Sequence, residues 1–171
     1  MPQGPNNPPI LVGLGANLPS QWGTPEVTLV AVLKRLQATG ISVLARSRFW
    51  RTRPVPDDGG PWYVNAVASV ATSLDAEALL AHLLAVEAEF GRVRSYRNAP
   101  RVIDLDLLAY GDEVREGPEP PLLPHPRLHE RAFVLLPLRE IAPDWVHPKS
   151  KQGIEALVAA LPADQTAEPM A

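Results

Sequence analysis

Two aspartates separated by one leucine, Asp104-Leu105-Asp106, interrupt a run in which Ile103, Leu105 and Leu107 are apolar. In an extended chain alternate residues share a face, so both carboxylates point one way, with Cα atoms about 6.6 Å apart. At an effective dielectric near 20, two such charges repel by roughly 2.5 kcal/mol. A divalent cation between them turns that cost into a binding site. Hard oxygen donors suit Mg2+, above all where substrate phosphates complete its shell. A strand whose polar face is simply wet accounts for the pair equally well, although aspartate is disfavoured in strands.

Just upstream, Arg92, Arg94, Arg97 and Arg101 fall within ten residues, in a chain with 13 arginines and only three lysines. The guanidinium fork matches phosphate oxygens and stays charged at any working pH. A solvated loop pairing with nearby acids is the plain alternative; ahead of a paired-Asp strand, the cluster has the makings of a phosphate clamp. Glu87 falls within the arc set by Leu79, Leu80, Leu83, Val86 and Phe90 on a helical wheel, whereas Glu77 and Glu89 fall outside it. A carboxylate on an apolar face needs a partner or loses its charge. An arginine of the following loop is one candidate, and a position at the edge of the stripe is the alternative. Gly13-Leu14-Gly15 lacks the third glycine of a dinucleotide fingerprint and the Lys of a P-loop, which leaves a backbone-conformation role. His125, between Pro124 and Pro126, sits on a stiff segment and reads as a hydrogen-bonding group. Pro126 stands against a continuous helix that would put His129 on the same face.

The elements that must carry these residues follow from periodicity and punctuation. An apolar strand spans 10–16. Thr24-Pro25-Glu26 then opens a helix running to about residue 39, with Gly40 as its stop. Residues 41–49 alternate as a strand, a Pro- and Gly-rich loop covers 53–61, and 62–72 is strand-like. Asp75 caps a second helix to Phe90, closed by Gly91, and 102–110 is the Asp104/Asp106 strand. The order is βαββαβ, which predicts an α+β ferredoxin-like sandwich, an antiparallel sheet covered by two helices on one face. A C-terminal extension adds a helical segment over 127–141, interrupted near Pro137. Residues 1–9 and 163–171 are expected to be flexible tails around one domain at 10–162.

Composition narrows the classes. The 171 residues are 46% hydrophobic and carry a net charge of -3, so a single packed core is expected and no broad positive field attracts nucleic acid or an anionic membrane. Without cysteine there are no disulfides, thiolate metal sites or cysteine nucleophiles. No apolar run approaches the ~20 residues that span a bilayer. The N-terminus has no signal-like character, and a cytoplasmic location is expected. The 20 prolines, about 12% against a usual ~5%, must fall mostly in loops and termini.

Taken together the motifs resemble a family. Gly13-Leu14-Gly15-Ala16-Asn17-Leu18, Arg51-Thr52-Arg53-Pro54, Tyr63-Val64-Asn65-Ala66, Gly91-Arg92-Val93-Arg94, Pro100-Arg101-Val102-Ile103-Asp104-Leu105-Asp106-Leu107, Pro124-His125-Pro126-Arg127-Leu128 and Arg131-Ala132-Phe133 occur in this order. The chain resembles the 6-hydroxymethyl-7,8-dihydropterin pyrophosphokinases of folate biosynthesis over about residues 10–148. The resemblance implies transfer of the β,γ-pyrophosphoryl group of ATP to the pterin hydroxymethyl oxygen, releasing AMP. It implies that Asp104 and Asp106 hold two Mg2+ ions and that Arg92 and Arg101 stabilise the transferring group. Glu87, Arg92, Arg94, His125 and Arg131 match ATP-binding positions. Tyr63 and Phe133 match the aromatics that sandwich the pterin, Asn65 the amide that reads its edge, and Thr52 and Val55 the loop lining that pocket. ATP and the pterin are the implied partners, with no nucleic acid or membrane, and the chain is expected to be a monomer.

The chain departs from the family pattern at Arg97-Asn98-Ala99-Pro100-Arg101, where a tryptophan is common at the position of Asn98. It also departs at Pro56, where glycine is common, and at Trp62, where a small polar residue is common. Two rivals compete. An RNA-binding module fits the same fold class, against which stand the acidic balance and the paired aspartates. A metal-dependent phosphohydrolase is the other.

Overall fold

A computed structural model describes residues 8–54, 59–91 and 102–170. Thr24 accepts a hydrogen bond from Val27 N–H at 3.4 Å and Pro25 occupies the first turn of helix α1, Pro25–Ala38. Gly40, at φ +96°, ends it. Asp75 likewise accepts from Ala78 N–H at 2.9 Å to start α2, Ala76–Glu89, and Gly91 at φ +87° stops it. Both helices therefore begin and end where their caps and glycines dictate.

Between them run the strands β1 (Ile10–Ala16), β2 (Ser42–Arg46), β3 (Trp50–Thr52), β4 (Tyr63–Ala71) and β5 (Asp104–Tyr110). All pairings are antiparallel, with order β5-β1-β4-β3 and β2 also on β4. The single strand expected over 41–49 is instead two. Ser47 leaves the ladder because its own hydroxyl, 3.0 Å from Val67 N–H, replaces a strand carbonyl as the acceptor. The chain then re-pairs one turn later as β3. Counted as one interrupted strand, β2 and β3 give the fourth–first–third–second order of a βαββαβ chain.

α1 and α2 cover one face, where Val12, Leu14, Leu29, Val32, Leu79, Leu83, Leu105 and Leu107 form the larger core. The other face is covered in part by the C-terminal extension. Its helices α3 (Ala132–Ile141) and α4 (Ile154–Ala159) bury Val134, Leu135, Leu138 and Leu157 against Leu11, Val67 and Leu108. Pro137 lies inside α3 and does not interrupt it. Proline removes one hydrogen bond to the carbonyl four residues back. Burying Val134, Leu135 and Leu138, at about 1.5–3 kcal/mol each, outweighs that loss.

The C-terminus also differs from a loose tail. Ala167–Pro169 form a sixth strand, β6, on the edge of β3, and Met170 N–H donates to the Phe49 carbonyl at 2.8 Å. β3 is an edge with free backbone groups, and these residues satisfy them. Residues 167–169 thus belong to the sheet, and the segment leading to them is not a loose tail. Among the described residues no helix is long and apolar enough to cross a membrane.

Candidate functional site

α3 covers only part of its sheet face. Leu11, Val67 and Leu108 lie beneath it, while the next residues on the same face, Gly15, Asn65, Tyr63, Asp104 and Asp106, lie beyond its N-terminal end. Gly15 stands opposite both Asn65 on β4 and Asp104 on β5, so a residue without a side chain separates the amide from the carboxylate. A Cβ there would sit 2.7 Å from Asn65 Nδ2. Gly15 is thus required for space; neither it nor Gly13 has a positive φ, which corrects the backbone-conformation reading. Thr52 on β3 donates its hydroxyl proton to Asn65 Oδ1 at 2.5 Å in a buried bond, fixing which way the amide points.

Two cavities open on this floor. The first, about 680 Å³, is lined by Thr52, Tyr63, Asn65 and Phe133 among others. The second, about 390 Å³, is lined by Leu80, Leu84, Asp106, Pro120, Pro121 and His125. Asp104 and Arg131 line both. The aromatic and amide residues of the sequence reading thus gather in one cavity, the acids and His125 in the other, with one anion and one cation where they meet. Val55, Arg92, Arg94 and Arg101 fall outside the described residues.

Asp104 and Asp106 are half-buried, while Ile103, Leu105 and Leu107 are in the core, so the alternation read from sequence holds along β5. Among the described residues no cluster of three or more His, Asp or Glu forms a metal cage. Two hard carboxylates beside an open cavity fit Mg2+, which keeps waters and takes further ligands from substrate phosphates. They do not fit a zinc site, which wants four protein ligands or three with histidine. Glu87, 2% exposed, accepts the N–H of Leu105 at 2.6 Å. Its place on the apolar face of α2 is therefore a buried one, which removes the edge-of-stripe alternative.

His125 is held by its own N–H, donated to the Leu108 carbonyl at 2.8 Å. Its Nδ1 accepts from Arg127 N–H at 3.1 Å, which puts the ring proton on Nε2. Burial first, then the charges of Arg131 and Arg127, push its pKa down to about 4 against the opposing pull of Asp104. At neutral pH it is an uncharged N–H donor. His129 does not share its face: the chain forms a 3₁₀ turn over Leu128–Glu130 and His129 lines the other cavity.

Residues to which the sequence assigned no role complete the site. Asn17, 6% exposed, donates Nδ2–H to the Pro61 carbonyl at 3.2 Å and so ties the end of β1 to the loop before β4. Arg53, Arg127, Gln152, Leu157 and Gln165 also line the larger cavity. Asn17 belongs to the glycine motif and was visible there. Gln152, Leu157 and Gln165 had no local signal, because only the fold of the extension brings them across the sheet. Prolines cluster here as well: Pro54, Pro61 and Pro162 line the first cavity and Pro120, Pro121 and Pro126 the second.

Residues 11–143 match the family model described as 7,8-dihydro-6-hydroxymethylpterin-pyrophosphokinase. A 2-amino-4-hydroxy-6-hydroxymethyldihydropteridine pyrophosphokinase of Methylorubrum extorquens is 46% identical over 137 residues, 79% of this chain and 83% of the relative. One from Synechocystis is 40% identical over 157 residues, 86% and 73% of the two chains. Among solved structures, an HPPK-DHPS crystal structure in complex with substrates superposes with a TM-score of 0.67 at 12% identity. That match covers 90% of this chain and 43% of the other, and it shows a shared fold.

Proposed function

The chain belongs to the 7,8-dihydro-6-hydroxymethylpterin-pyrophosphokinase family, whose members are ATP-dependent diphosphotransferases of folate synthesis, and from that membership we propose its reaction in detail. The hydroxymethyl oxygen of 6-hydroxymethyl-7,8-dihydropterin attacks the β-phosphorus of ATP. The bond from that phosphorus to the α-bridging oxygen breaks, AMP leaves, and the hydroxyl proton is released. The carrying observation is that an amide- and aromatic-lined cavity and an acid-lined groove are both bordered by Asp104 and Arg131. A reaction joining a flat heterocycle to a polyphosphate needs such a junction.

In the larger cavity Tyr63 and Phe133 pack against the pterin faces. Asn65, oriented by Thr52, reads the edge, donating and accepting as a pterin's alternating edge requires. Val55, outside the described residues, is assigned a pterin-binding role by the family resemblance. His125 donates its Nε2–H to the nucleotide phosphates, and Arg131 and Arg94 add charge. Arg92 and Arg101 stabilise the charge that develops on the transferring group. Asp104 and Asp106 would hold the two Mg2+ ions, and the metal would supply neutralisation of the phosphate charge during transfer. Glu87 supports the nucleotide side by holding β5. The proposed enzyme works as a cytoplasmic monomer.

Product analysis tests the proposal. Incubation with ATP, Mg2+ and the reduced pterin yields AMP and a pyrophosphorylated pterin, and nothing without Mg2+. Formation of ADP or free phosphate in their place overturns it, the latter in favour of a phosphohydrolase.

A further inference from the structure

Helix α3 begins at Ala132 with no side chain of its own neighbourhood capping it. Arg131, the residue before, lines both cavities. The cap comes from 33 residues away. Gln165 Oε1 accepts the Ala132 N–H at 2.8 Å, and Gln165 Nε2 donates to the Glu130 carbonyl at 2.6 Å. One amide therefore grips the backbone on both sides of Arg131, and just ahead of Phe133. Such a grip uses both halves of the amide, its acceptor and its donor.

The neighbours of Gln165 grip the opposite wall. Arg53 N–H donates to the Thr166 carbonyl at 3.1 Å, and Ala167 pairs with Thr52. Three consecutive residues thus link the Thr52 wall of the larger cavity to its Arg131–Phe133 wall, and Gln165 itself lines that cavity. All of them lie beyond the family-model match, which ends at residue 143.

We propose that Gln165 is a positioning residue, setting Arg131 and Phe133 at the distance from Thr52 and Asn65 that the two substrates require. This rests on the substrate roles proposed above. A group that orients binding residues in ground and transition states alike changes KM and leaves kcat. Steady-state kinetics of Gln165→Met, which has similar length and makes neither bond, should therefore show KM for ATP and for pterin raised roughly tenfold, with kcat within about twofold. Glu168→Ala, on the same strap but exposed, should match wild type. Gln165→Glu keeps the acceptor for Ala132 N–H and loses the donor to Glu130, and covers the case in which Gln165→Met does not fold. Its KM for the phosphate-free pterin should rise severalfold. Unchanged KM values in a folded Gln165→Met, even with a lowered melting temperature, would reduce the residue to a helix cap and overturn the proposal, as would an unchanged pterin KM in Gln165→Glu. A wild type that makes no AMP would overturn the functional reading beneath it; a working wild type matched by Gln165→Met overturns the role of Gln165 alone.

Discussion

The Glu87 carboxylate accepts the N–H of Leu105, the residue between Asp104 and Asp106, at 2.6 Å. β5 is the edge strand of the sheet, and this N–H has no strand to pair with. α2 thereby pins the backbone of the acidic pair from behind. Removing the acceptor leaves a buried N–H unsatisfied, at about 1–3 kcal/mol. Glu87→Ala should lose that much stability in urea unfolding and also lower kcat, while Glu87→Gln, which keeps an acceptor oxygen, should recover most of both. Equal stability of Glu87→Ala and wild type would sink the pinning role.

Asp104→Asn and Asp106→Asn should act on turnover and barely on the fold, because both side chains are half-buried on the cavity side and neither belongs to a core. The expected loss in kcat is about 10²- to 10³-fold, the range for removing one preorganised group that stabilises transition-state charge. Melting temperatures should stay close to wild type. Full kcat in either variant would remove the metal from the proposed reaction.

The same strand marks how far sequence alone reaches. Alternation along 103–107 fixes which way the two carboxylates face, and caps at Thr24 and Asp75 fix both flanking helices, since each is a local rule. Glu87 was legible as a buried acid because the helical wheel is local too. Its bond to the Leu105 N–H was not, because that is set by how α2 lies on the sheet; the candidate arginines Arg92, Arg94, Arg97 and Arg101 lie outside the described residues. Gln165 shows the limit most plainly. Its Ala- and Pro-rich surroundings read as a tail, because strand pairing with β3 depends on an edge left open 115 residues earlier in the chain.

His147 should make stability fall in mild acid. It is 7% exposed, and its Nδ1 accepts from Lys149 N–H at 3.2 Å and Ser150 N–H at 3.1 Å. Burial, then His129 and Lys149, hold its pKa below the ordinary histidine value. Below about pH 6.5 the unfolded chain therefore binds more protons than the folded one, so stability drops as pH falls, until the folded pKa is passed. His147→Asn keeps an acceptor for the two amides and cannot titrate. Its melting temperature should fall less between pH 7 and pH 5 than that of wild type. Parallel slopes would show that the acid sensitivity arises elsewhere, His125 being the other histidine with a depressed pKa.

Gly15 and Gly13 provide a paired test of the pterin cavity, since they lie two residues apart on one face of β1 and differ in what stands above them. A Cβ at Gly15 meets Asn65 Nδ2 at 2.7 Å, and Asn65 is held on its other side by Thr52, so the amide has no direction in which to yield without breaking that bond. The nearest atoms to a Cβ at Gly13 belong to the Leu108 side chain, at 3.3 Å or more, which must give by a few tenths of an ångström. Gly15→Ala should therefore raise the pterin KM about tenfold or more, because a displaced amide forfeits hydrogen bonds worth about 1 kcal/mol each at a buried edge. Gly13→Ala should cost some stability by overpacking, up to about 1–3 kcal/mol, and leave the pterin KM unchanged. Calorimetric titration of the pterin into both variants, beside thermal melts, separates the two effects. Equal pterin affinity in Gly15→Ala and wild type would mean that Asn65 does not read the substrate.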